Sequence, residues 1–127
     1  MRHLLARVVD GGPVDLVHAH GTGTPANDEA ELAAIESVLE EGDKPPALYS
    51  HKGALGHSLG AAGLVSVALN CMMHAKRTIP PNVQTTQPIA TRRVQINPEA
   101  KAQATRRSLA VAAGFGGPTA VISLVSA

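Results

Sequence analysis

Val14 to Ala19 is a six-residue, mostly apolar run closed on both sides by residues that turn a chain. Gly11-Gly12-Pro13 precedes it and His20-Gly21-Thr22-Gly23-Thr24 follows it. So short an apolar run between such breakers reads as a buried strand, too short for a helix. The strand must therefore lie inside a sheet, and its C-terminal end carries an imidazole on a thin turn lined with hydroxyls. Strand C-termini in α/β sheets are where ligands bind. A neutral imidazole there can donate one N–H to an oxygen that gains negative charge, while its other nitrogen is held by the protein.

The rest of the chain alternates in the same manner. Asn27 or Asp28 can cap a helix running to about Glu41, with Glu29 and Glu31 in its first turn and Leu32, Ile35 and Leu39 as its apolar stripe. Gly42 and Lys44-Pro45-Pro46 end it. Ala47 to Ser50 reads as a second strand leading into the loop Lys52-Gly53-Ala54-Leu55-Gly56-His57. Ser58 to about Lys76 is apolar or small nearly all round, the pattern of a helix buried within a domain. Gly60 and Gly63 would let another backbone approach it closely. Ser108 to Ala113 and Thr119 to Val125 form a hairpin-like pair across Gly114-Phe115-Gly116-Gly117-Pro118. Strand, helix, strand, helix and hairpin together predict one layered α/β domain over residues 1–127.

Composition narrows the function. Net charge is +1, with one Tyr, one Phe and no Trp, so neither a basic block nor a stacking platform recommends nucleic-acid binding. The single cysteine, Cys71, cannot close an internal disulfide and sits mid-helix, where a thiol is packing and not a nucleophile. Its solitary state fits a reducing compartment, and Met1 to Arg7 is too soon interrupted by charge for a signal peptide; a cytoplasmic protein is expected. The glycines spell neither a phosphate loop nor a dinucleotide fingerprint. His18 and His20 lie two apart on a strand and invite comparison with a zinc site, but no cysteine or carboxylate completes a recognisable spacing.

Lys52 and His57 carry their own logic. A lysine a few residues before a histidine holds that imidazole neutral by charge repulsion, and a helix N-terminus near Ser58 adds a positive dipole end. Set beside this is the plainer possibility that Lys52 is solvated and His57 caps the helix. The Phe115 turn reads either as a pocket gate or as a loop plugged by a core ring.

Taken in order, His20-Gly21-Thr22-Gly23-Thr24-Pro25, Asn27-Asp28, Glu31, Lys52-x4-His57, Leu59-Gly60-Ala61-Ala62-Gly63, Pro80-Pro81 and Gly114-Phe115-Gly116-Gly117 resemble the β-ketoacyl synthases. These are the decarboxylating condensing enzymes of fatty-acid and polyketide synthesis. The resemblance runs from about Val14 to Val125 and matches the C-terminal half of a thiolase-like fold. It implies a 3-oxoacyl-[acyl-carrier-protein] synthase in which His20 and His57 bind the malonyl thioester carbonyl and stabilise the enolate. Lys52 would tune or orient His57, and Thr22 and Thr24 would hold the phosphopantetheine arm of acyl carrier protein. Phe115 would gate the pocket, its backbone N–H helping to form the oxyanion hole for the acyl thioester, and Gly116 beside it would bind substrate. No metal or resident cofactor is implied. The family's nucleophilic cysteine belongs to the N-terminal half, so the implied partners are that half and acyl carrier protein, in an enzyme that is homodimeric at full length. The alternative is a non-catalytic remnant or split-subunit interaction domain of the same fold. Three positions depart from the pattern: Ser66 stands where a glutamate commonly pairs with the lysine, Thr119 where an asparagine is usual, and Ala113 where an aromatic is frequent.

Overall fold

A computed structural model describes residues 1–126; residue 127, the last of the expected domain, lies outside the described residues. The order is α1 (Arg2–Val9), β1 (Leu16–His18), α2 (Pro25–Glu36), β2 (Ala47–Tyr49), α3 (Lys52–Leu55), a 3-10 turn (Leu59–Ala61), α4 (Ala62–Lys76), then β3 (Thr78–Ile79), β4 (Gln95–Ile96), β5 (Lys101–Ala102), β6 (Arg107–Ala113) and β7 (Thr119–Val125). Five strands form one sheet in the order β4-β2-β1-β6-β7. The first three pairings are parallel, and β6–β7 is an antiparallel hairpin with Leu109 opposite Ser123. β3 and β5 form a separate two-stranded ribbon.

The period-2 alternation of the strands decides which helix covers which face. Val17, Leu109 and Val111 point to one side and pack with Leu5 of α1 and Leu32 and Ile35 of α2. Leu16 points to the other side and packs with Ala47, Tyr49 and Met73 of α4. β1 is buried on both faces, as a central parallel strand must be. The result is a sheet between α1 and α2 on one side and α4 on the other.

Several expectations need correction. The first helix after β1 starts earlier than Asn27: Thr24 is its N-cap, with extended backbone, and Pro25 occupies the first helical position. Asp28 instead accepts the Gly23 N–H at 3.1 Å. That helix ends at Glu36, short of Glu41, because the guanidinium of Arg93 takes the Glu36 and Leu39 carbonyls at 2.9 and 3.0 Å. Lys52 to Leu55 is a short helix where a loop was expected, and α4 proper begins at Ala62 after the 3-10 turn. Only one stripe of α4 is covered, by Ala62, Ser66, Asn70 and Met73, because a single sheet lies against it. Leu64, Cys71 and Met72 face outward, and Leu59, Ile122 and Val125 add to the uncovered apolar surface. Nothing comes within 4 Å of a side chain built at Gly60, and one at Gly63 would only touch Ala112. The glycine that closes a tight approach is Gly53, where a Cβ would run into the Val83 carbonyl. No helix among the described residues is long and apolar enough to cross a membrane.

Candidate active site

His20 lies two residues past the end of β1, where the chain leaves the sheet, and its backbone is gripped from both directions. Its N–H donates to Glu31 Oε1 at 2.7 Å, and the next N–H, of Gly21, donates to Glu31 Oε2 at 2.8 Å. Asn27 steadies the carboxylate with a bond of 3.2 Å. On the other side, the Lys52 ammonium donates to the His20 carbonyl. Gly21 takes a positive φ of 46° beside Ser50, whose hydroxyl donates to the Gly21 carbonyl at 3.0 Å; any Cβ there would meet Ser50 at 2.8 Å. Asn82 fixes the neighbouring strand end, accepting the Ser50 N–H and donating to the Leu48 carbonyl.

This frame brings the two expected histidines together. The His20 and His57 rings lie edge to face, with centroids 5.4 Å apart and planes at 80°. Burial, then the Lys52 charge, then His57, lower the His20 pKa to about 4, so the ring is neutral near pH 7. The Leu59 N–H donates to His57 Nδ1 at 3.1 Å, which puts the proton of a neutral His57 ring on Nε2. The plainer expectation for His57 has a direct counterpart: its ring satisfies an N–H at the start of the 3-10 turn. Two imidazoles at this separation can both donate to one oxygen between them, the arrangement that stabilises a developing oxyanion.

Lys52 differs from expectation in its contact. Its ammonium meets the His20 carbonyl, and among the described residues it makes no hydrogen bond to His57. Burial lowers its pKa, while Glu31 and Asp28 oppose that shift. Glu31 is itself pushed up by burial, against the pull of the Gly21 and His20 N–H bonds and Asn27. Ser66 turns its hydroxyl onto the Ala62 carbonyl of its own helix, at 3.1 Å. The expected protein contact to the second nitrogen of His20 is also not found: Nδ1 is buried with no partner among the described residues. His20 is held by its peptide groups instead.

Thr22 and Thr24 are linked hydroxyl to hydroxyl at 2.9 Å on the outer side of the turn. Phe115 is fully exposed at the tip of the β6–β7 turn, and Gly116 beside it has a φ of 80°. A groove of about 350 Å³ joins His20 to Gly60, Gly63, Ala112 and Gly114 at the foot of that turn. A larger cavity, about 540 Å³, opens on the α2 side between Thr22, Glu31, Lys52 and Gln84. His20 borders the smaller space, and His57 lines neither. His18 does not share a ligand set with His20: its ring turns under α4 to Asn70 and His51. No group of three or more candidate metal ligands exists among the described residues.

Sequence reasoning overlooked the clamping role of Glu31, though Glu31 was visible within the pattern. Its signal was an acidic residue seven positions into a helix whose cap is Thr24, one turn too deep for the helix dipole to account for.

The chain belongs to the beta-ketoacyl synthase family: the model of its C-terminal domain matches residues 1–86. It is 36% identical over 110 residues to a putative polyketide beta-ketoacyl synthase 1 of Streptomyces halstedii, covering 86% of this chain and 26% of that one. To 3-oxoacyl-[acyl-carrier-protein] synthase 1 of Escherichia coli K12 it is 44% identical over 71 residues, covering 56% of this chain and 17% of the relative. Among solved structures, the ishigamide ketosynthase/chain length factor superposes with a TM-score of 0.85 at 31% identity, over 99% of this chain and 33% of that one. The fold is that of the thiolase-like ketosynthases. The chain spans about a quarter or less of the curated relatives just named.

Proposed function

We propose that this chain supplies the two-histidine half of a decarboxylating condensing site, that of a 3-oxoacyl-[acyl-carrier-protein] synthase acting in fatty-acid or polyketide synthesis. The observation that carries the reading is the edge-to-face pair of His20 and His57 at 5.4 Å. His20 and the Nε2–H of His57 donate to the malonyl thioester oxygen as carbon dioxide leaves, and the enolate charge is held between them. Lys52 and Glu31 are positioning residues that fix the His20 peptide. Thr22 and Thr24 face the pantetheine arm that carries the substrate, and Phe115 and Gly116 edge the acyl pocket.

The acyl nucleophile is a thiol on polypeptide outside these 127 residues, because Cys71 lies on the outer side of α4, away from the histidines. The uncovered apolar surface of Leu59, Leu64, Met72, Ile122 and Val125 is where that cysteine-bearing half packs. The split-subunit reading draws on the same surface. Acyl carrier protein is the partner that delivers substrate; the solved AntDE:AntF complex, 25% identical with a TM-score of 0.84, is a ketosynthase holding such a carrier. The assembled enzyme is a cytoplasmic homodimer without a resident cofactor.

The test is reconstitution. Co-expressed with a cysteine-bearing ketosynthase half, the chain is expected to release carbon dioxide from malonyl-acyl carrier protein. His57→Ala or His20→Ala should slow that step by about 100-fold or more, the scale for removing an oxyanion donor. The chain alone is expected to form neither acyl-enzyme nor β-ketoacyl product. Normal decarboxylation in the His57→Ala assembly, or condensation by the chain alone, refutes the proposal.

A further inference from the structure

His18, His51 and His74 take no part in the site just described, yet they are joined by an unbroken run of hydrogen bonds. Its direction can be worked out from groups whose roles are fixed. The Ser126 hydroxyl donates to the Thr105 carbonyl at 2.9 Å, so its oxygen must accept from His74 Nδ1 at 2.8 Å. A neutral His74 then has a bare Nε2, which accepts from the Ser108 hydroxyl at 2.8 Å. Ser108 in turn accepts from Asn70 Nδ2 at 3.1 Å, and that same nitrogen donates to the Leu109 carbonyl at 3.3 Å. Because a carbonyl can only accept, the Asn70 amide has one orientation, and its oxygen faces His18 Nδ1 at 2.7 Å. His18 must therefore carry its proton on Nδ1. Its bare Nε2 accepts from His51 Nδ1 at 2.9 Å. Each bond has its donor on the His51 side, and two backbone carbonyls prevent reversal.

We infer that His51 is a positioning residue for Lys52, locked as its Nδ1–H tautomer by a one-way hydrogen-bond chain through His18, Asn70, Ser108, His74 and Ser126 to the Thr105 carbonyl. His51 is completely buried and is the N-cap of α3; its carbonyl accepts the Ala54 and Leu55 N–H groups at 3.0 and 2.9 Å. Holding its ring therefore holds the first turn of the helix whose first residue is Lys52. The chain ties that turn to β1, α4 and β6, three elements with no sequence contact to α3. His51 Nε2, bare by the same logic, is buried with no donor among the described residues. The ring accordingly offers a lone pair, not a proton, on that side. Chains of aligned donors polarise one another, so breaking one bond weakens its neighbours. The effect on Lys52 as a site residue rests on the condensing-site reading; the tautomers do not.

The experiment uses the 127-residue chain labelled with 15N-histidine, and reads the six imidazoles by long-range proton–nitrogen correlation at pH 8. His18, His51 and His74 are expected with protonated Nδ1 and bare Nε2, and His57 with the opposite tautomer. A proton on Nε2 of His18 or His51 overturns the proposal without any variant. Two variants then test the positioning. His51→Asn keeps an N–H donor near the place of Nδ1, whereas His51→Leu fills space without one. The readout is the titration of Lys52 Cε among the chain's four lysines. Lys52 is faced by Glu31 and Asp28 and by the imidazoles of His18, His20 and His51. In His51→Leu its midpoint should rise toward the ordinary lysine value, and in His51→Asn it should stay as in the parent chain. Equal behaviour of the two variants overturns the role toward Lys52. Correct tautomers with no decarboxylation on reconstitution would instead sink the condensing-site reading alone.

Discussion

Glu31 makes two short bonds, and removing them one at a time and together is informative. Its two carboxylate oxygens accept the consecutive N–H groups of His20 and Gly21 at 2.7 and 2.8 Å. Glu31→Gln keeps one oxygen and turns an NH2 group toward the other N–H. Glu31→Ala removes both acceptors. Either change relieves the cost of burying the carboxylate, so that contribution cancels when the two variants are compared. What remains is one buried N–H left without a partner, about 1–3 kcal/mol. Glu31→Ala should therefore be the less stable by that amount in urea unfolding, with both variants below the parent chain. Amide hydrogen exchange localises the loss: Gln should speed exchange at one of His20 and Gly21, and Ala at both. Equal stability of the two variants, with His20 and Gly21 amides as protected as in the parent, would refute the clamp.

Acid should weaken the fold through its histidines. Burial holds His18 and His20 near 4, below the value of about 6.5 that a free histidine has, so the unfolded chain binds more protons between those pH values. Stability is thus full above about 6.5 and falls as pH drops toward 4, by about 3 kcal/mol for the completely buried His18; a urea midpoint flat from pH 7 to 4.5 would contradict it. Arg107→Leu should release α1, since that guanidinium holds the Val8, Val9 and Gly12 carbonyls; exchange in residues 2–9 should accelerate while that of β1 changes little. Gly53→Ala should cost about 1–3 kcal/mol by overpacking against the Val83 carbonyl, read from the melting midpoint.

The elements that the sequence revealed are those bounded by strong local signals. β1 and β2 are apolar runs between glycines and prolines, and β6 and β7 flank a glycine-rich turn. α1 has only a weak local signal, Leu5, Val8 and Val9 at helical spacing, set among the charges of Arg2 and Arg7 that in the sequence argue only against a signal peptide. β3, β4 and β5 are two residues long and exist only through their partners, so no local pattern announces them. The histidine pair was legible because each ring ends a glycine-marked segment. The grip of Glu31 and Lys52 on the His20 peptide, and the link from His51 to Asn70, join residues that only the tertiary fold brings together.

The bonds from Arg107 to Val8 and Val9 span 99 and 98 positions, nearly the length of the chain. An eight-residue helix is marginal on its own in water. α1 precedes β1 in the chain, yet the group that takes its last carbonyls belongs to β6. During synthesis α1 therefore waits, unsupported at its C-terminal end, until β6 has emerged. A stall or truncation before Arg107 would leave α1 as exposed to proteolysis as the unfinished end.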